Sequence, residues 1–261
     1  MPAHYAHYRF GDQLLPTLPA NVSRPILRFR RLFDLGLQGP DLFFYYNILT
    51  ENHLQKQGKK FHAMTGQEFF GMICRRLRFE STEAGQAYLY GLLAHYCLDR
   101  ACHPLIQEAI EDGSIGHIEL ETEFDRYLMT LDGIAQPENF DNSRHMTLTK
   151  GECVTISKLY PGIQPGDVLQ SVQTMAAVTK FLAAPKGNQR AWMQKAAKKV
   201  VNKFTPFIMG ETPNRNCAQL AEDLKTHYDE AAALYPALLE QLTAHMTYNA
   251  PLGEEFEKTF G

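Results

Sequence analysis

Apolar positions recur every three to four residues along most of this chain, and β-branched runs with period-two alternation are almost absent. That pattern predicts an all-α fold. Ile26–Leu35 reads as a short helix opened by Ser23 and Pro25 at cap and first-turn positions, and Gly39-Pro40-Asp41 breaks it. An apolar, aromatic stretch follows from Leu42 to Ile48, and Gln67–Leu77 repeats apolar residues at helical spacing. Ser81-Thr82-Glu83-Ala84 is a helix start, and Ala87–Cys102 is apolar on most faces, which predicts a central helix ending at Pro104. Ser114 is the expected cap of a helix running to Leu131.

Proline, glycine and asparagine then crowd residues 132–164, predicting an irregular connection with a short helix near Val154–Leu159. Three helical segments follow, Asp167–Ala184, Gln189–Phe204 and Cys217–Met246, the last kinked or split at Pro236. The whole chain, 1–261, reads as one compact multi-helix domain: a first half to residue 131, a connection over 132–166 and a C-terminal helical layer over 167–261.

Composition narrows the function classes. A formal charge of −3 over 261 residues gives no general attraction to nucleic acid or to an anionic bilayer, so no stable nucleic-acid complex is expected. Five cysteines without a CxxC pair argue against both a disulfide framework and a thiolate zinc site. No basic segment followed by an apolar run opens the chain, and no apolar run has the ~18 residues of a membrane span, so the expected compartment is the cytoplasm. Trp192, Met193, Ala196, Ala197, Val200, Val201 and Phe204 make one apolar helix face with lysines around it. Core packing is the simpler reading of that face, and weak contact with a membrane surface is the other.

The histidines change the picture. Seven of the ten fall in the first 117 residues, which concentrates the candidate chemistry there. His95, Asp99 and His103 stand at i, i+4 and i+8, along one stripe of the long apolar helix. A carboxylate buried between two imidazoles is costly unless a positive charge compensates it, and a divalent cation with nitrogen and oxygen ligands does so. His117, Glu121 and Asp125 repeat the spacing on the next helix, with Glu119 and Glu123 directed to solvent. Taken singly, each group has a plainer explanation: an Asp–His pair in a polar core, an acidic exposed face, a solvated histidine at His4, His7 or His62, or a turn carboxylate at Asp41. Arg24, Arg28, Arg30 and Arg31, with Arg75, Arg76 and Arg78, could bind phosphate or pair with acids such as Asp34 and Glu80.

The run Tyr5-Ala6-His7-Tyr8-Arg9-Phe10-Gly11, the run from Gly36 to Tyr46 around Gly39-Pro40-Asp41, the His95-xxx-Asp99 helix and Gly116-His117-xxx-Glu121 occur in this order. Together they resemble the zinc-dependent phospholipase C-like family, which is related to secreted bacterial phospholipases C and fungal single-strand nucleases. The resemblance implies a helical domain with two to three Zn2+ ions at the base of a cleft. It implies Asp41, His62 and His95 on one ion, Asp99 bridging to a second that also takes His7, and His103, His117 and Glu121 on the remaining ion. It also implies hydrolysis of a phosphodiester, most plausibly a phospholipid, with Asp41 as the catalytic residue that orients or deprotonates the attacking water. A nuclease or nucleotidase using the same centre, and a zinc-binding protein without turnover, are the alternatives. The secreted relatives complete the second site with a free amine at their first residue. The expectation here is that His4, or the amino group at Pro2, replaces it. Phe43, Phe44, Tyr45 and Tyr46 are candidates for stacking a nucleobase, or else core.

Overall fold

The computed structural model describes residues 4–80, 82–111, 113, 115–183 and 207–261. The helices are α1 (His4–Leu14), α2 (Ala20–Arg28), α3 (Arg30–Gly36), α4 (His53–Ala63), α5 (Gly66–Glu80), α6 (Glu83–Ile110), α7 (His117–Leu131), α8 (Lys150–Leu159), α9 (Pro165–Ala183) and α10 (Ala218–Tyr248). A 3-10 helix, Gly39–Tyr45, joins α3 to the segment before α4. No strand occurs among the described residues, as the periodicity predicts.

Side chains close several helix starts by binding otherwise orphaned N–H groups. Asn52 Oδ1 accepts from Leu54 and Gln55 N–H at 3.0 and 3.1 Å, and Thr82 Oγ1 accepts from Gly85 N–H at 3.1 Å. Thr149 and Glu152 form a reciprocal capping box at the start of α8. That Thr-x-x-Glu signal extends α8 back to Lys150, beyond the expected Val154.

Helix α6 is the axis of the molecule, and every side chain from Ala87 to Arg100 is buried. Helix α3 crosses it where Gly36 meets Gly91, so closely that a Cβ at Gly91 would lie 2.2 Å from Phe33 O. Helix α10 packs along α6 with Tyr228, Ala231, Tyr235 and Leu238 fully buried. Each such burial contributes on the order of 1.5–3 kcal/mol for a large side chain. Tyr235 OH donates to Tyr90 O at 3.0 Å and pins the two helices together. All five cysteines are buried and free.

Several boundaries differ from the sequence expectation. Instead of one helix from Ile26, the chain forms α2 and α3 with a break at Phe29 (φ −120°, ψ 45°), and Pro25 lies inside α2. Helix α6 continues past Pro104 to Ile110, and α10 runs unbroken through Pro236. Proline in a helix interior costs about 3 kcal/mol. Continuing each helix keeps Ile106 in one case, and Leu238, Leu239 and Leu242 in the other, in the core. Gly116 is the N-cap of α7. Ser114, the Gln189–Phe204 helix and its Trp192 face lie outside the described residues. No helix among the described residues is long and apolar enough to cross a membrane.

Candidate metal centre

Five elements deliver the candidate residues to one place. Helix α6 presents His95, Asp99 and His103, α7 presents His117 and Glu121, and α1 presents His7. The 3-10 helix supplies Asp41, and the last turn of α4 supplies His62. Gly39 explains the approach of the 3-10 helix to α6. Its φ is +55°, and a Cβ there would lie 2.1 Å from His95 Cδ2, so only glycine supplies both the turn and the clearance.

Within this space three groups of donor atoms converge, each with its atoms inside 4.8 Å of one another: His7, His95 and Asp99; Asp41, His62 and His95; and His103, His117 and Glu121. The first two share His95. Asp99 reaches in two directions, Oδ1 to His7 Nε2 at 3.2 Å and Oδ2 to His95 Nε2 at 3.0 Å. Asp41 Oδ1 lies 2.7 Å from His62 Nε2, and Glu121 Oε1 lies 3.1 Å from His117 Nε2. His103 stands between the clusters, 3.8 Å from an oxygen of Asp99 and 3.8 Å from one of Glu121. These are the eight residues that the sequence singled out.

The proton positions decide what this arrangement suits. In His62, His95 and His103 the Nδ1–H donates to a main-chain carbonyl: Gly58 O at 2.9 Å, Leu37 O at 3.1 Å and Asp99 O at 3.0 Å. A carbonyl only accepts, so in the neutral form of each ring the lone pair is on Nε2. Those are the nitrogens that face the carboxylates. Among the described residues, His95 Nε2 is buried without a hydrogen-bond partner although a carboxylate oxygen lies 3.0 Å away, and His7 Nδ1 is also without one. A lone pair facing an anionic oxygen in a buried site is repulsive unless a cation lies between them. Backbone-anchored imidazoles with the far nitrogen turned inward are the usual outer support of metal-binding histidines. The donor set therefore fits a divalent metal such as zinc.

Electrostatics agree. Burial works to raise the Asp99 pKa, but His95, His103 and His7 outweigh it and hold the carboxyl well below its ordinary value. Asp41 likewise stays below the ordinary range against burial, through His62 and His95. Glu121 is held near about 2, with His117 and His103 opposing burial. His62 shifts upward, because Asp41 outweighs the effect of its burial. All three carboxylates are thus ionised at neutral pH, the form in which they ligate metals.

Other sequence expectations are corrected. His4 is not in any of the three groups. Its Nδ1 lies 2.5 Å from Gln38 Oε1 and its Nε2 2.7 Å from Tyr45 OH, so both nitrogens are engaged by neutral partners. Burial lowers its pKa to about 4, which keeps the ring neutral and its Nε2 an acceptor for the Tyr45 O–H. Pro2 lies outside the described residues. Asp125 is neither exposed nor a ligand; its oxygens accept the N–H of Tyr5 at 3.1 Å and of Ala6 at 2.8 Å, capping α1 and fixing the approach of His7. Glu123 is buried against Arg126 at 3.0 Å instead of solvated, and Glu119 accepts from Asn214. The arginines pair away from the site: Arg28 with Glu83, Arg30 with Asp12 and Asp34, Arg31 with Glu152. Phe43 is core, packed on Phe61 and Tyr160.

Burial pushes the Asp125 carboxyl up to about 8 from a model-peptide value of 3.8. In metal-free protein the native state then keeps a proton that the unfolded state has lost between roughly pH 4 and 8, so stability falls as pH rises through that window. Asp125→Asn retains an acceptor oxygen but cannot ionise. Urea midpoints of the metal-free variant are expected to decline less steeply than wild type from about pH 4 to 8. Parallel slopes for the two proteins would contradict this role.

A family model described as zinc dependent phospholipase C matches residues 6–160, more than half of the 261-residue chain. No curated protein and no solved structure gives a significant match.

Proposed function

Since this chain belongs to the zinc-dependent phospholipase C family, we propose that it is a phosphodiester hydrolase whose centre is held by His7, Asp41, His62, His95, Asp99, His103, His117 and Glu121. The observation that carries this reading is the inward-facing Nε2 of His95, which faces an Asp99 oxygen at 3.0 Å without a hydrogen bond among the described residues, is shared by two donor groups and is backed by the Nδ1–H bond to Leu37 O. Zinc ions held there would polarise the phosphoryl oxygens and acidify a water.

The chain's own residues supply the rest. Asp99, with one oxygen toward His7 and the other toward His95, holds these two imidazoles around one carboxylate, and His95 in turn joins them to Asp41 and His62. Asp41, kept ionised, accepts a hydrogen bond from the attacking water and aims it at phosphorus. Its low proton affinity suits orientation better than proton storage. The water oxygen bonds to phosphorus as the bond to the alcohol oxygen breaks, and the proton that the water gives up passes through solvent to the departing alkoxide. His117, with 31 % of its side chain exposed, is the candidate ligand most open to solvent.

A phospholipid is the favoured substrate. Of the four candidate rings, Phe43 and Tyr45 are committed to the core and to His4, Tyr46 packs on His53, and Phe44 lies against His62 at 5.3 Å; a single ring at the site does not make the aromatic sandwich that a nucleobase needs. A cleft bordered by Tyr45, Met129, Phe140 and Met209 contains none of the eight candidate ligands, but it is lined by His4 and Asp125, which flank them in the fold, and offers an apolar wall. Phospholipid vesicles, a single-stranded oligonucleotide and an aryl phosphodiester separate the readings. Lipid hydrolysis releasing a phosphorylated headgroup supports this one. Cleavage of the oligonucleotide alone would favour the nuclease alternative, and inertness with zinc loaded would favour a binding protein.

Asp41→Asn is expected to cut the rate more than the zinc content. One ligand oxygen survives, while a neutral amide orients water less well. Equal losses of zinc and rate would remove the orienting role.

A further inference from the structure

Beyond α10 the chain turns back across α5 and α6 and reaches the metal centre from a stretch outside residues 6–160. Its course is fixed by specific bonds. Gly253 N–H donates to Gln241 Oε1 at 3.0 Å, and Gly66 N–H donates to Lys258 O at 2.9 Å. Tyr96 OH bridges Glu255 O and Lys258 O at 2.8 and 3.0 Å, and the buried Arg100 pairs with Glu255. Phe256 stacks on Tyr96 with its ring 5.8 Å away.

This path delivers Phe260, which is fully buried, onto the candidate ligands. Its ring centre is 5.6 Å from that of His62 and 5.9 Å from that of His95, and Phe69 and Tyr96 hold it from behind at 4.9 and 5.1 Å. Gly261 lies against the ring of His103, where a Cβ would come within 2.3 Å of Cγ. An imidazole anchored only through Nδ1 can still pivot about that hydrogen bond. An apolar ring packed beside it, as Phe260 is at tilts of 57° to His62 and 42° to His95, restricts the pivot and keeps water from competing for Nε2.

We propose that Phe260 is a positioning residue of the metal centre: it holds His62 and His95 in register, so that the C-terminal segment sets how tightly the Asp41, His62 and His95 group retains zinc. The proposal rests on the zinc reading above. Losing an outer supporting residue of this kind costs about 10- to 100-fold in metal affinity.

The test is zinc competition against a chelator of known affinity, on full-length wild type, Phe260→Ala, Phe260→Leu and Phe256→Leu, with circular dichroism of each metal-free protein. Phe256 is the control, since it packs the same segment on Tyr96 and Phe70 without touching a candidate ligand. Phe260→Ala is expected to weaken the tightest zinc 10- to 100-fold, Phe260→Leu to recover part of that, and Phe256→Leu to stay close to wild type. If Phe260→Ala does not fold, Phe260→Leu against Phe256→Leu decides, with weaker zinc expected only in the former. Wild-type affinity in the folded Phe260 variants, or equal weakening in Phe256→Leu, overturns the proposal alone. A wild-type chain that binds no zinc overturns the reading of the site, and the proposal with it.

Discussion

Asp99→Ala is expected to remove zinc and phosphodiester hydrolysis together. Asp99 has one oxygen 3.2 Å from His7 and the other 3.0 Å from His95, with His103 at 3.8 Å. Deleting it leaves imidazoles facing one another in a buried space, with no anion to draw a cation between them. At least one ion should be lost, and the rate should fall by about a hundred- to a thousandfold, the scale of losing a group that organises transition-state charge. Asp99→Asn separates charge from shape: it should fold like wild type and lose activity like the alanine variant. Zinc analysis and a turnover assay on the same preparation check this. Wild-type zinc content and rate in Asp99→Ala would remove Asp99 from the centre.

Stripping the metal should lower the melting temperature by more than any single substitution proposed here. A ligand that binds only the native state stabilises it by about 4 kcal/mol at a thousandfold excess over its Kd. At about 2–4 °C per kcal/mol for a chain near this size, one such site shifts the midpoint by roughly 8–16 °C. Two sites shift it further. In this protein the effect should be large because the donors come from α1, α4, α6, α7 and the 3-10 helix, so zinc ties five elements together. Calorimetry before and after chelation, then after readdition of zinc, reads it directly. A midpoint insensitive to chelation would mean that the donors are satisfied without metal.

The helical stripes of the site were legible because ligands spaced at i, i+4 and i+8 stay on one helix face wherever the helix is placed. His95, Asp99 and His103 on α6, and His117 and Glu121 on α7, needed no knowledge of tertiary structure. The resemblance, read motif by motif, added Asp41, His62 and His7. What stayed hidden depends on contacts between distant segments. Asp125 shares the spacing of His117 and Glu121, yet its oxygens meet the start of α1, 119 and 120 residues away. His4 has the spacing of a partner for His7 but turns to Gln38 and Tyr45. Phe260 carries no local signal at all, because only the return of the chain past α10 brings it to His62.

Helix ends were less legible for a related reason. Proline lowers helix propensity locally, and the core outweighs that penalty at both Pro104 and Pro236. The Thr149–Glu152 capping box, by contrast, was written in the sequence and marks the true start of α8.

The central claim, that this chain is built around a multinuclear zinc centre, is tested most directly by elemental analysis of protein purified without chelator. Two to three zinc ions per chain are expected, reduced in His95→Ala by more than in His117→Ala, since two donor groups share His95. Less than one tightly held equivalent of zinc in the folded wild-type protein would contradict that claim.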